Sequence, residues 1–106
     1  MENPNAVMNQ TKLGYNDTES ALDVKNLKYM TEEKINSTKI GYENNNFLIE
    51  TVIKNKFDSF AFLLSDKNCE VMNKNVNGWS AIHYVVKFKR FSNIKLIIIR
   101  FFGFYV

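Results

Sequence analysis

Cysteine occurs once in this chain, proline once, tryptophan once, histidine once and glycine four times. With Cys69 alone, no intrachain disulfide can form, and with no signal peptide in view a reducing compartment fits; the expectation is an intracellular, cytoplasmic protein. Four scattered glycines cannot make a phosphate-cradling loop, and neither metal-ligand spacing nor a nucleophile elbow is present. No enzyme, no metal and no cofactor is therefore expected. Long apolar runs are missing too. "LIIIRFFGFYV", residues 96–106, is interrupted by Arg100 and falls short of the roughly 20 residues that span a bilayer.

Acidic residues are absent from Ser80 onward, where Lys87, Lys89, Arg90, Lys95 and Arg100 stand. The other 79 residues hold nine bases and all eleven acids, a net of −2. This imbalance suits an acidic partner or a solvated helix face. The acids Glu50, Asp58, Asp66 and Glu70 stand singly and read as solvated.

At 106 residues, 45% of them apolar, the chain has the size of one small domain. Residues 1–20 carry few large apolar side chains and read as disordered or loosely ordered. "SALDVKNLKYM", 20–30, places Leu22, Leu27 and Met30 on a helical stripe, with Ser20 as cap and Asp23 in the first turn. Residues 36–46 are rich in turn formers. Two later segments look alike. "FLIETVIKNKFDSFAFLL", 47–64, set over "SAIHYVVKFKRFSNIKLI", 80–97, matches Ile49 with Ile82, Val52 with Val85, Ile53 with Val86 and Leu63 with Leu96 at an offset of 33. Each segment reads as two short antiparallel helices that break near Lys56 or Lys89. Ile49, Val52 and Ile53 are expected to pack with Leu63 and Leu64 against Ile82, Val85, Val86, Leu96 and Ile97. Residues 65–78, "SDKNCEVMNKNVNG", form a turn or hairpin excursion between them.

These residues resemble the ankyrin repeat, whose period is 33 and whose signature is T-P-L-H-x-A. Here the signature stands as Ser80-Ala81-Ile82-His83-Tyr84-Val85, the preceding turn as Asn75-Val76-Asn77-Gly78, and the hairpin as "NCEVMNK". The resemblance implies an all-α fold, a short ankyrin-like helical solenoid of antiparallel helix pairs joined by hairpin loops. It covers a degenerate partial repeat at 21–46, a repeat at 47–79 and another at 80–106 that ends in an apolar tail. In the first unit Phe47, Leu48 and Glu50 replace the Thr, Pro and His, which leaves Asn46 as the cap. Lys56 and Lys89 replace the usual glycine at the break, where φ is positive, at a cost of about 1 kcal/mol each.

His83 falls at the third position of a helix opened by Ser80, so the backbone N–H of His83 can bond to the Ser80 hydroxyl. The resemblance makes His83 structural and Cys69 a small buried residue. It also implies that Val76 and Asn77 at the hairpin tip, Trp79 on the shoulder, and Lys87 and Phe88 at the end of the helix face a partner. An aromatic pair beside a cation suits an interface. Glu43, Asn44, Asn46, Lys54 and Asn55 would form its polar rim. The expected function is non-enzymatic protein–protein interaction, with another protein as partner and with self-association through the apolar C-terminus. One alternative is a basic module that meets nucleic acid or an acidic surface through Lys87, Lys89, Arg90 and Lys95, with Phe88 and Phe91 interleaved for stacking. The same spacing suits two core-facing positions, which weighs against nucleic acid. Another is a fragment of a longer repeat protein.

Overall fold

A computed structural model describes residues 11–13 and 18–103, and it is mostly helical. Strand β1 (Thr11–Leu13) precedes three short helices, α1 (Thr18–Ala21), α2 (Val24–Leu27) and α3 (Glu32–Ser37). Strand β2 (Thr38–Ile40) follows, then α4 (Phe47–Ile53), α5 (Phe57–Asp66), α6 (Ala81–Lys87) and α7 (Phe91–Phe102). The strands pair in parallel, Thr11 with Thr38 and Leu13 with Ile40. Most of the N-terminal stretch expected to be disordered lies outside the described residues. Within it, Thr11–Leu13 are in β1 and Thr18 opens α1.

The helix expected over 20–30 is broken. Ser20 lies inside α1 and caps nothing; its carbonyl accepts from Asn26 Nδ2 at 2.7 Å. Asp23 stands before α2 in an extended conformation and reaches the ammonium of Lys56 at 3.3 Å. Leu22 and Leu27 are still fully buried, because the turn between the helices aims both at the core. Thr31 caps α3 through its hydroxyl, which accepts from Lys34 N. Turn geometry begins only after β2, at Gly41.

Asn46 caps α4, its Oδ1 accepting from Ile49 N at 2.8 Å. Phe47 through Val52 are all buried, as fits a helix enclosed on several sides. It packs on α5 and α6; α5 packs in turn on α2 and α7. Leu63, Leu64, Val85 and Ile97 are buried as expected, whereas Ile53, Ile82 and Leu96 are only half-buried. Val86, expected in the core, is 64% exposed.

The backbone resets the repeat by one residue. Helix starts Phe47 and Ala81 are 34 apart, and so are Phe57 and Phe91. The same spacing separates Asn44 from Gly78 and Asn55 from Lys89, all four with positive φ. It also relates the closing bonds: Lys56 N donates to the Thr51 carbonyl, and Arg90 N to that of Val85. The left-handed residue of the first unit is therefore Asn55, with φ +57°, and not Lys56, whose φ is −100°. Asparagine tolerates that region better than most residues. Lys89 does occupy it, with φ +55°. One residue of slip rotates a helix face by about 100°, so Val86 corresponds to the fully buried Val52 and not to the half-buried Ile53; its exposure comes from lying on the uncovered side of α6.

Candidate functional site

The loop between α5 and α6 is organised by one side chain. Asn75 is buried; its Oδ1 accepts from the backbone N–H groups of Asn77 and Trp79, both at 3.0 Å. Its Nδ2 donates to Asn45 Oδ1 at 2.8 Å and to the Tyr84 hydroxyl at 3.1 Å. Asn75 N also bonds to the Trp79 carbonyl, and Gly78, at φ +81°, completes the turn. Trp79 is thus fixed through its backbone at the start of α6.

Aromatic rings converge there. The Trp79 centroid lies 5.2 Å from that of Tyr84, tilted by 52°, and 5.9 Å from that of His83. Tyr84 stacks on Phe88 at 6.1 Å. The Lys87 ammonium sits 5.1 Å from the Trp79 centroid and 6.0 Å from that of Phe88, within cation–π range. Trp79 is 36% exposed and Phe88 38%. Glu43, Asn77, Trp79, Tyr84 and Lys87 line an open hollow of about 370 Å³.

Of the residues singled out in the sequence, Trp79, Lys87 and Phe88 therefore form one cluster, and Asn77 borders the hollow. Val76 is exposed on the loop, where its N–H bonds to the Glu43 carbonyl at 2.9 Å. Of the expected rim, Glu43 alone lines the hollow. Asn46 caps α4, Lys54 lies beside Glu50, and Asn44 and Asn55 hold left-handed turns. Sequence reasoning missed Tyr84. The signal was its position five residues after Trp79, within reach of the helix start.

His83 binds the start of its own helix. Its Nδ1 accepts from Ser80 N at 2.9 Å, with Ser80 Oγ at 2.8 Å. In neutral His83 the ring proton accordingly sits on Nε2. The N–H of His83 also reaches the Ser80 carbonyl at 3.1 Å, and Ser80 and His83 form a reciprocal capping box in which each side chain accepts from the other's backbone N–H, as expected of the hydroxyl.

The network beneath the cluster ends on a carboxylate. Glu50, expected in solvent, is fully buried; its Oε2 accepts from Asn45 Nδ2 at 2.8 Å. Oε1 has no hydrogen-bond partner among the described residues, and Lys54 Nζ stands 4.0 Å away. Burial pushes the Glu50 carboxyl above its ordinary pKa; the Asn45 bond and the Lys54 charge pull it back, and the Glu43 charge adds to the rise. Asn45 links the two units, joining Glu50 on α4 to Asn75 in the loop.

Cys69 is buried, with Sγ 3.8 Å from Asn36 Oδ1, and burial pushes its thiol up to about 12. A larger hollow of about 470 Å³ lies at the α4–α5 break, where Lys56 pairs with Glu19 and Asp23 at 3.3 Å each. Among the described residues no group of His, Cys, Asp or Glu could hold a metal ion, and no helix is long and apolar enough to cross a membrane. Compared with family models, with curated proteins and with solved structures, the chain matches none of them.

Proposed function

We propose that this chain is a short ankyrin-like stack of helix pairs that binds another protein by surface complementarity, without chemistry or cofactor. Support for the stack comes from the 34-residue recurrence of caps, left-handed turns and helix starts, and from the packing of α4 on α6 and α5 on α7. The binding surface is the cluster of Trp79, Tyr84, Lys87 and Phe88, with Val76 and Asn77 beside it on the loop. One observation carries this reading: Trp79 is fixed through Asn75 while its ring stays partly exposed under an ammonium. An aromatic group already ordered loses little entropy on association, and such groups dominate binding energy.

The basic residues fit nucleic acid less well. Arg90 Nε donates to the Val52 carbonyl at 3.1 Å, and Arg100 bonds to the Leu64 carbonyl and to Asn68. Both guanidinium groups join one helix pair to the next. Affinity capture with wild-type and Trp79→Ala baits side by side tests the proposal. A protein retained by the first and lost from the second supports it; identical captured sets, or nucleic acid as the only species retained, refute it.

A further inference from the structure

The outer face of the α6–α7 pair is a second surface, independent of the Trp79 reading. The 34-residue correspondence identifies what a covered version of it looks like. Val52 on α4 is fully buried, and α4 packs on α6. Val86, at the same place on α6, is 64% exposed. On α7, Phe91, Lys95 and Ile98 follow one another at four and three residues and so share a stripe. Their counterparts on α5 are Phe57, Ala61 and Leu64. Leu64 is 3% exposed, Ala61 half-buried and Phe57, at the edge of the contact, 38% exposed, and α5 packs on α7. Phe91 is 67% exposed and Ile98 only half-buried. The buried side of α7 is the other one, carrying Asn93 and Ile97. The outer face of α6–α7 thus repeats the face by which α4–α5 receives a helix pair.

One residue breaks the likeness. Lys95 stands in an exposed position where the first unit has Ala61. An ammonium covered by a partner needs a carboxylate opposite it, since burying an unpaired charge is costly. The chain from Ser80 onward contains no Asp or Glu side chain, so a second copy presenting this face would set lysine against lysine. We infer that this face receives an acidic amphipathic helix of another protein, with apolar side chains against Val86, Phe91 and Ile98 and a carboxylate against Lys95. This is the helix-on-groove mode of recognition.

The test uses the full chain and two alanine-based peptides of about 20 residues, long enough to hold helix in water. Both carry leucine along one face; glutamate flanks that face in one and lysine in the other. Fluorescence anisotropy should show binding of the glutamate peptide only. Lys95→Glu should weaken it at least tenfold and admit the lysine peptide, and Val86→Ser should also weaken it. Lys25→Glu, which changes net charge equally at an exposed position of α2, should leave it within about twofold, as should Trp79→Ala. Equal losses from Lys95→Glu and Lys25→Glu would reduce the effect to net charge and overturn the assignment. So would no binding of either peptide, or sedimentation showing a dimer that Val86→Ser dissociates.

Discussion

Replacing Asn75 with alanine removes four hydrogen bonds at once, and their surroundings set the magnitude. Asn45 Oδ1 loses its donor while remaining fully buried, which costs about 1–3 kcal/mol. The N–H groups of Asn77 and Trp79 belong to exposed residues and regain water, so each lost bond costs about 0.5–1 kcal/mol. The half-buried Tyr84 hydroxyl adds little. The expected total is about 2–5 kcal/mol, a large share of the stability of a small domain. Asn75→Asp does not rescue it. Asn45 has one donor end and one acceptor end, so it cannot serve Glu50 and a second carboxylate together. Urea unfolding followed by far-UV circular dichroism measures the loss, and acrylamide quenching of the single tryptophan reads the loop. Both variants should lower the midpoint, and Trp79 should become more quenchable in conditions where helix content is unchanged. A loss below about 0.5 kcal/mol with unaltered quenching would refute the role given to Asn75.

Burial sets apart two valines that the 34-residue register pairs: Val52→Ala should cost about 2 kcal/mol or more through lost methyl burial and a cavity, and Val86→Ala under about 0.5; equal losses in urea midpoints would contradict the uncovered placement of Val86. The pKa of Glu50 is raised in the folded state, so its contribution is fully present below the unfolded-state pKa and is lost as pH rises through the folded one. Wild-type stability relative to Glu50→Gln should therefore fall as pH is raised from acid to neutral, and a pH-independent difference would exclude the effect. With its thiol pushed up to about 12, Cys69 should resist a thiol reagent at pH 8 in the folded protein and react once urea unfolds it; rapid native labelling would show the thiol to be accessible.

Helices α4 to α7 were legible because their apolar residues recur at helical spacing and Asn46 and Ser80 mark two starts. The register was less so. Matching apolar residues rewards Leu63 over Leu96, yet the repeat is set by backbone dihedrals, and positive φ at Asn55 leaves no mark in an apolar pattern. The exposure of Val86 depends on whether a further helix pair covers its own, which local sequence does not encode. Helices α1 and α2 have four residues each, too few for periodicity, and β1 meets β2 only across a long sequence separation. At the site, Trp79, Lys87 and Phe88 followed from the family resemblance. The chain from Glu50 through Asn45 to Asn75 did not, because an isolated acid and two asparagines in an asparagine-rich chain look like surface residues.

The central claim is that Trp79 serves a partner while His83 serves the fold. Once a partner is in hand, titration calorimetry and thermal melting of Trp79→Ala and His83→Ala test it together. Trp79→Ala should weaken binding at least tenfold, about 1.4 kcal/mol, and cost about 1–3 kcal/mol of stability through its lost contacts with Tyr84 and Lys87, with the fold retained. His83→Ala should lose about 0.5–2 kcal/mol of stability, the range for a helix-start contact, with affinity unchanged when measured well below its melting point. A Trp79→Ala variant that unfolds beside a folded His83→Ala variant that no longer binds would invert these roles and contradict the account.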